Sequence, residues 1–461
     1  MTLLDSERRP ELDPLVVCAP IVDREHATQR PNADSVHRRS AATESRNFIV
    51  MSWHQVLMRI GWIFKTESIV MPAMLDLVGG SAWVRGFLPM LNRFGQSVPP
   101  MLAANRVRGA KQKRIALFST SIAMGVSFLA LAGLWHWKAS FSSAWLSVAI
   151  LTLYAIFFSS TGINQLVVST LTGKLIPVRR RGRLMQFSSS IGSVIAVTCA
   201  WVLLNQWLQP DIGNFTAIFA FAGLLFIASG LSALLFHEKD DDFKNTSTSM
   251  HGYLSDSIRV LKNDRSLLLL SLVASLFGMM MTLFPHYQDI GRKELKLGLD
   301  SLVVWVIAQN LGVAAFSIPA GLIADRVGNR RVLKWLMGGL CFVPLLSLFL
   351  SQAGQFGAIN YFWVFALLGL TPVTMRTLNN YALELTDRSR QPQYLGILSL
   401  FMAGPAVGCS LLVGLSIDWF GFTPTFLMVT IFQIAGFVLC FQLVEPRKKI
   451  KLETVPREEP E

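Results

Sequence analysis

Long apolar runs alternate with short polar connections along most of this chain of 461 residues. Each run holds about twenty or more largely apolar residues, the length that a helix needs to cross a bilayer core of about 30 Å. The pattern predicts twelve membrane-spanning helices, near residues 54–78, 83–105, 113–135, 144–172, 185–207, 213–236, 266–287, 301–324, 332–352, 358–384, 393–418 and 424–444. The first two runs are the least apolar.

The twelve spans form two groups of six, which divides the chain into five parts. We expect a disordered cytoplasmic tail (1–47), a first six-helix half (48–236), a central cytoplasmic connection (237–265), a second six-helix half (266–445) and a cytoplasmic C-terminal tail (446–461). In the central connection, Leu254, Ile258 and Leu261 share one helical face, which predicts an amphipathic helix on the membrane surface. We interpret the acidic run at residues 240–242 as a solvated linker.

Basic residues concentrate in the connections that follow even-numbered spans. Examples are Arg106, Arg108, Lys111, Lys113, Arg114, Lys174, Arg179, Arg180, Arg181, Arg183, Arg326, Arg330, Arg331 and Lys334. Connections after odd-numbered spans carry few cations, except for Arg292, Lys293 and Lys296. By the positive-inside rule both termini are cytoplasmic, which an even number of spans also requires. We therefore expect a multi-pass integral protein of the plasma (inner cell) membrane.

Composition supports a membrane protein and excludes several other classes. The chain is 52% hydrophobic and only 15% charged, whereas soluble proteins carry about 25% charged residues. Because the basic residues that give a net charge of +13 sit in short connections, we expect a lipid bilayer and no nucleic acid as partner. The five cysteines are widely spaced and show no metal-ligand pattern, so we predict neither a metal site nor a cofactor.

One connection occurs twice in related form. SVPPMLAANRV at residues 97–107 and SIPAGLIADRV at 317–327 are identical at six of eleven positions, and repeated halves are typical of secondary transporters. The second copy resembles the loop signature of the major facilitator superfamily, G-x-x-x-D-R-x-G-R-[KR]. That signature is carried here by Gly321, Asp325, Arg326, Gly328, Arg330 and Arg331, with Asn329 inserted before the basic pair.

The resemblance implies an all-α membrane protein with twelve helices in two pseudo-symmetric halves, working as a monomer. It also implies that a small solute crosses by alternating access, coupled to protons or another ion. In the family this loop acts as the cytoplasmic gate, so we expect Asp325, Arg326 and Arg331 to be gate residues, and Gly321 to allow close helix packing. The first copy has Asn105 in place of the acid, followed by Arg106, which predicts a weaker latch on that side.

Polar residues inside spans are costly and usually mark a pathway. They concentrate in the spans that line the cavity in the family, or lie beside them. The candidates for binding substrate or coupling protons are Lys65, Glu67, Arg93, Asn164, Gln165, Gln309, Asn310, Arg376 and Asn380. We predict Glu67 as the proton-coupling carboxylate, because burial favours its neutral form. The alternative is a structural ion pair with Lys65, Arg59 or Arg93.

Two interpretations of Arg93 and Arg376 stay open. Arg93 and Arg376 could bind an anionic substrate through bidentate hydrogen bonds, or could be neutralised by Glu67 or Glu384. Elsewhere, AGPAVG at residues 403–408 predicts close packing and a helix bend, and His286 is expected at the membrane interface.

The function classes that remain are few. The sequence has no G-x-x-x-x-G-K-[ST] loop, which argues against ATP-driven pumping, and neither H-E-x-x-H nor G-x-S-x-G, so no enzyme is predicted. The leading hypothesis is a secondary transporter of a small solute. The alternative is a transporter-derived membrane sensor or scaffold without solute flux.

Overall fold

The computed structural model describes residues 33–209, 213–241, 250–387 and 390–445. The chain divides into a small unit, Met1–Thr43, and a large unit, Glu44–Glu461, which holds all of the sites discussed below. The described residues form helices joined by short connections and contain no strand. The predicted all-α fold is therefore confirmed.

The helices of the first half follow the predicted spans closely. They are α1 (Ala33–Ile63), α2 (Val70–Leu77), α3 (Ala82–Gly109), α4 (Lys113–His136), α5 (Ser143–Leu175), α6 (Val178–Cys199), α7 (Asn205–Trp207) and α8 (Phe215–Ala233). A π-helical segment, Ala200–Leu204, joins α6 to α7, so that these elements form one span. A single 3₁₀ turn, Lys138–Ser140, lies between α4 and α5.

The second half is preceded by a helix in the central connection, α9 (Met250–Asn263), where an amphipathic helix was expected from the sequence. The following helices are α10 (Arg265–Met281), α11 (Phe284–Leu295), α12 (Ser301–Val327), α13 (Asn329–Gln352), α14 (Gly354–Asn360), α15 (Phe362–Leu368), α16 (Leu370–Glu384), α17 (Gln391–Phe420) and α18 (Phe422–Leu439). The Tyr394 hydroxyl of α17 donates to Asp264 (2.7 Å), which ties the end of the central connection to the second half.

All twelve predicted spans contain helix, but they are not equally apolar. By length and composition, nine helices in the described part could cross a membrane, or ten if the pair Gly354–Asn360 and Phe362–Glu384, bent by 41°, is one span. The first two predicted spans, which hold α1 to α3, do not meet that criterion. Their helices carry polar side chains that face the interior of the protein instead of lipid, as the next subsection shows.

The tails differ from the expectation where they are described. Because α1 begins at Ala33, the prediction of disorder is wrong for residues 33–47, and Asn47 is buried. Its side-chain amide donates to the carbonyl of His237 (3.0 Å), and its oxygen accepts from the amide of the same residue (2.9 Å). Residues 1–32 and the C-terminal tail, 446–461, lie outside the described residues.

Several helices begin where the sequence offers a polar cap. Ser142 accepts from the amide of Trp145 (3.4 Å) at the start of α5, and Asp264 accepts from the amides of Ser266 (2.8 Å) and Leu267 (3.1 Å) at the start of α10. These side chains satisfy backbone donors that the first helical turn leaves without a partner. The caps explain why the spans begin at these residues.

The core of the first half combines aromatic packing with close backbone contact. Phe128 of α4 lies 4.7 Å from Phe157 and 5.7 Å from Phe226, measured between ring centroids, in edge-to-face arrangements. Where α4 crosses α8, a Cβ atom added at Gly125 would lie 2.7 Å from the carbonyl oxygen of Gly223. Small residues at such crossings let membrane helices approach each other closely.

Of the acidic run at residues 240–242, Asp240 is exposed as expected of a solvated linker, Asp241 is paired with lysines, and Asp242 lies outside the described residues. Glu238 accepts hydrogen bonds from the amides of Lys113 (3.0 Å) and Arg114 (2.8 Å), and so caps α4. Asp241 binds the ammonium groups of Lys113 and of Lys174, the latter at 3.0 Å. The hydrogen bond from Lys113 holds the pKa of Asp241 below its ordinary value. Glu238 and Asp241 therefore tie the start of the central connection to α4 and α5.

Three local predictions are wrong in this structure. Gly321 is exposed, and a Cβ atom added there would meet nothing within 4 Å; the same holds for Gly404 and Gly408, so none of these glycines serves close packing. Pro405 lies inside the unbroken helix α17, so the bend expected there stays a prediction. His286 is fully buried instead of lying at an interface, because α11 packs against the first half.

Candidate functional site

The first predicted span is interrupted between α1 and α2, at residues 64–69. The Thr66 hydroxyl donates to the carbonyl of Ile63 (2.7 Å), and the Thr66 carbonyl accepts from the amide of Val70 (3.0 Å). Irregular backbone at membrane depth is tolerated only where it is buried in protein or lines a cavity. Both conditions are met here, because the interruption lies against a cavity between the two halves.

This cavity has a volume of about 730 Å³ and is lined by residues of both halves. It brings together eight of the nine candidates that the sequence singled out for binding or coupling, namely Lys65, Glu67, Arg93, Asn164, Gln165, Gln309, Asn310 and Arg376. The ninth, Asn380, is exposed on α16 and is not among the lining residues. The roles of all nine remain predictions.

Lys65 is held by aromatic rings. Its side chain is almost fully buried, and its ammonium nitrogen lies 3.5 Å from the ring centroid of Trp62 and 4.2 Å from that of Phe158. A cation over an aromatic face is attracted by the ring quadrupole, and the attraction is stronger where water is excluded. The rings therefore stabilise the charge of Lys65 without neutralising it.

Glu67 is held by amides. Its carboxylate accepts a hydrogen bond from the side-chain amide of Asn92, whose oxygen in turn accepts from Gln96. In the described part of the chain, no cationic nitrogen lies within the 4 Å of an ion pair from Glu67. The alternative interpretation of Glu67 as a member of a structural ion pair is therefore not supported by the geometry.

The second half contributes the opposite wall. The Ser68 hydroxyl donates to the side-chain oxygen of Gln309 (2.9 Å), and an Arg93 guanidinium nitrogen lies 3.9 Å from the sulfur of Met375. Asn310 donates to the carbonyl of Val306 (2.8 Å), one turn earlier in α12. These contacts place polar groups of both halves on the same cavity.

Asn164 and Gln165 are adjacent in α5 but have different surroundings. Asn164 is buried and donates to the hydroxyls of Thr120 (3.0 Å) and Ser121 (2.8 Å) on α4, which fixes its side chain between helices. Gln165 is exposed to the cavity. Gln165 is therefore better placed than Asn164 to contact a solute.

One end of the helical bundle, called the sealed end below, is closed by an ion cluster that the sequence analysis did not identify. Arg85, at the start of α3, donates to Asp76 of the first half and to Asp289 of the second. Gln288 donates to Asp76 (2.7 Å), and Lys293 lies 3.0 Å from Asp289. Arg85 and Asp289 are each only 1% exposed, so this pair is shielded from water, whereas Lys293 is exposed.

A second contact joins the halves at the sealed end. The carboxylate of Asp418, near the end of α17, accepts from the backbone amides of Ala82 (3.0 Å) and Trp83 (2.9 Å). It therefore caps α3 from the other half, at the helix terminus that favours negative charge. The two backbones also touch, since a Cβ atom added at Gly414 would lie 2.5 Å from the carbonyl oxygen of Ala82.

The hydrogen bonds between the halves are distributed unevenly. In the described part of the chain, the first-half partners in every such bond fall within residues 68–93. That segment covers α2 and the first part of α3, next to the sealed end. The opposite end of the bundle, called the basic end below, carries the connections that follow even-numbered spans.

Both copies of the repeated motif lie at the basic end. Asn105 and Arg106 are exposed in the last turns of α3, and Asp325 and Arg326 are exposed in the last turn of α12. The two copies thus occupy equivalent places, at the ends of the second and eighth predicted spans. This placement is what a duplicated pair of halves requires.

The turn after the second copy is fastened by the end of α18 and the residues beyond it. Gly328 has a φ of +103°, a conformation that favours glycine, and its Cα lies against the carboxylate of Glu445. Arg330 donates to the carbonyl of Phe441 (2.8 Å), whereas Arg331 is exposed. Gly328 therefore serves the turn that the loop signature suggested.

Comparisons with known proteins agree with this architecture. The family model described as the Major Facilitator Superfamily matches residues 292–460. A solved structure of a variant of the nucleoside transporter NupG is similar to this chain, with a TM-score of 0.68 and 9% sequence identity, over 86% of this chain and 100% of that one. A comparison with curated protein sequences gives no match.

Two proton symporters are also similar in structure. A D-xylose–proton symporter has a TM-score of 0.65 and 12% identity, over 87% of this chain and 98% of that one. The fucose–proton symporter of E. coli has a TM-score of 0.53 and 12% identity, over 87% of this chain and 100% of that one. The family model matches only part of the second half, and the solved structures show that the described chain has the fold of these transporters.

Proposed function

We propose that this protein is a secondary transporter that moves a small solute across a membrane by alternating access. The observation that supports the proposal is the polar cavity between the halves, together with the hydrogen bonds that join the halves at the sealed end. A rocking motion of the halves would break these bonds and close the basic end instead. The cavity would then face the other side of the membrane.

The orientation follows from the distribution of charge. The basic end carries most of the cations, so we place it in the cytoplasm of a cell with the protein in its plasma membrane, and both termini with it. The present conformation then faces inward. The exposed Asp325 and Arg326, which the resemblance assigns to the gate, lie where the halves would meet when the basic end closes. The protein acts as a monomer in this proposal, since each chain has its own cavity.

Proton coupling is assigned to Glu67. The solved structures similar in fold include two proton symporters, and Glu67 lines the cavity next to two cationic side chains, Lys65 and Arg93. Protonation would remove the negative charge that attracts both cations, and would leave them available to a solute. Loading a proton and loading a solute are then favoured in the same conformation, as symport requires.

The test is solute uptake by proteoliposomes, with and without an inward proton gradient. The panel comprises D-xylose, uridine, succinate and glycerol 3-phosphate. We expect the gradient to accelerate uptake of at least one solute, and Glu67→Gln to abolish that acceleration. The matched control, Glu294→Gln, changes an exposed acid outside the cavity and should leave it intact. A folded protein that moves none of a broadened panel would instead favour a membrane sensor or scaffold, and gradient-dependent uptake by Glu67→Gln would refute the coupling assignment.

A further inference from the structure

We propose that the solute is an organic anion, bearing carboxylate or phosphate groups, that binds to cationic side chains from both halves. The inference rests on the proposed transport function and names its substrate class. Four cations line the cavity, namely Arg59, Lys65, Arg93 and Arg376, against the single carboxylate of Glu67. With all of these groups ionised, the cavity carries an excess of three positive charges.

None of these four cations is paired with a carboxylate. In the part of the chain that the structure describes, every ion pair with an N–O distance of 4.0 Å or less involves other cations. Lys65 contacts rings, and the one hydrogen-bonding contact of Arg93 to a side chain is to the sulfur of Met375. Lys65 is almost fully buried, Arg59 and Arg93 are half-buried, and Arg376 is exposed to the cavity. A charge held away from bulk water without a counterion is costly, which applies most strongly to Lys65.

Two cations outside the cavity are each paired with carboxylates of the protein. Arg85 at the sealed end has two carboxylates, and Lys174 at the basic end also has two, Glu238 and Asp241. The cavity cations lack such partners although they sit in the same fold. This contrast points to a counterion that arrives from outside the chain.

The cations are arranged to reach one ligand from two sides. Arg59 lies on α1 of the first half and Arg376 on α16 of the second, and the two are close enough to repel each other. Lys65 and Arg93 form a second group beside Glu67, and they also repel each other. An anion between Arg59 and Arg376 would turn repulsion between the halves into attraction, and would favour closure of the basic end around it.

Guanidinium groups suit this role because their planar forks match carboxylate and phosphate oxygens in bidentate geometry. Trp62, Met58 and Phe284 add apolar surface to the lining, which suits the carbon skeleton of an organic ion. A neutral sugar or nucleoside would satisfy the amides of the cavity but would leave the charge excess unchanged. The charge of the cavity therefore favours an anion over the neutral solutes of the structurally similar transporters.

Binding to the purified protein tests the inference apart from transport. Thermal shifts are measured with succinate, citrate and glycerol 3-phosphate, and with D-xylose and uridine as neutral probes, since a ligand stabilises the state that binds it. We expect at least one anion to raise the melting temperature, with an affinity that falls as salt is added. Phosphatidylglycerol is also added to the protein in detergent, with phosphatidylcholine as its control. This comparison tests whether the anion that binds is a lipid headgroup.

Two substitutions then locate the site. Arg59→Gln and Arg376→Gln should each weaken binding of that anion by tenfold or more, whereas Arg259→Gln, at an exposed position on α9, should not. Arg376→Lys keeps the charge, so its affinity for the anion should lie between that of the unaltered protein and that of Arg376→Gln. Binding by this variant would also show that a substitution at this position leaves the protein folded.

The outcomes separate this inference from the proposed function. Stabilisation by neutral probes alone, by phosphatidylglycerol alone, or by an anion whose affinity both glutamine variants retain would overturn the inference. Uptake of a neutral solute without anion binding would do so while leaving transport intact. Anion binding without any flux would support the binding site and refute transport.

Discussion

The ion cluster at the sealed end gives the sharpest test of the conformational argument. Arg85 holds two carboxylates that belong to different halves, Asp76 and Asp289. Replacing it by methionine keeps much of the side-chain volume but leaves these acids close together and without their shared cation. Removing one partner from a buried ion pair costs about 3–5 kcal/mol. Opening of the sealed end would relieve much of that cost, because water could reach the carboxylates.

The expected shift is large enough to measure. About 3 kcal/mol changes an equilibrium constant by about 100-fold at 25 °C, since 1.4 kcal/mol corresponds to a factor of ten. A protein whose sealed end is open about 1% of the time would then be open about half of the time. Arg85→Met should therefore turn a protein that is closed at the sealed end into one that samples both states.

A single cysteine reports the change. Ala82→Cys is introduced into a background in which the five native cysteines are serine, and a membrane-impermeant maleimide is added from the side of the sealed end. Ala82 is only 2% exposed while the end is closed. We expect Arg85→Met to accelerate its labelling by at least tenfold. Ser140→Cys, exposed at the same end, should label rapidly in either background.

The matched control is Lys174→Met, which also removes a cation from two carboxylates but lies at the basic end, between the first half and the central connection. It should leave the labelling of Ala82→Cys unchanged. Equal labelling rates with and without Arg85, in protein that elutes as a single folded species, would refute the view that this cluster holds the halves together. Acceleration by Lys174→Met as well would show a general loosening of the fold.

Three further predictions concern other parts of the molecule. Gly414→Leu should raise the labelling of Ala82→Cys and slow transport, because no side chain fits against the backbone of α3; normal values of both would contradict the contact. Asp325→Asn should reduce solute flux in proteoliposomes while membrane insertion, measured by protein yield in the membrane, stays normal. Because the pKa of Asp241 is lowered in the folded state, its contribution to stability is present above the unfolded pKa of about 3.9 and is lost as pH falls through the folded value. Thermal unfolding below about pH 4 should therefore depend less on pH in Asp241→Asn.

The sequence predicted the spans well because crossing a bilayer is a local property of composition. Each run of apolar residues needs no knowledge of its neighbours in space, and the repeated motif revealed the duplication through residues 97–107 and 317–327 alone. Polar residues within the spans also indicated the cavity, because a polar side chain at membrane depth is costly unless it faces the protein interior or a water-filled cavity. Asn380 shows the limit of this prediction. It lies in a span that contributes to the cavity, but its position in the sequence does not determine whether its side chain faces the cavity.

The sealed end could not be predicted in the same way. Arg85 and Asp289 are 204 positions apart, and their pairing depends on how two bundles dock. The only indication of this cluster in the sequence was Arg85, an isolated cation near a connection that otherwise carries little charge. The prediction for Gly321 was wrong for a related reason, because the face of α12 that meets a neighbouring helix depends on how the helices dock, and no atom lies within 4 Å of a Cβ atom added at Gly321.

The interrupted first span connects the cavity to the sealed end. The short helix α2, Val70–Leu77, begins just after the cavity residues Glu67 and Ser68 and carries Asp76 near its other end. Eight residues span about 12 Å, and the first six of them are fully buried, so this helix should move as one rigid piece. A change at Glu67, whether protonation or arrival of an anion beside it, would displace Asp76 relative to Arg85. We therefore expect α2 to be the element through which loading of the cavity weakens the sealed end.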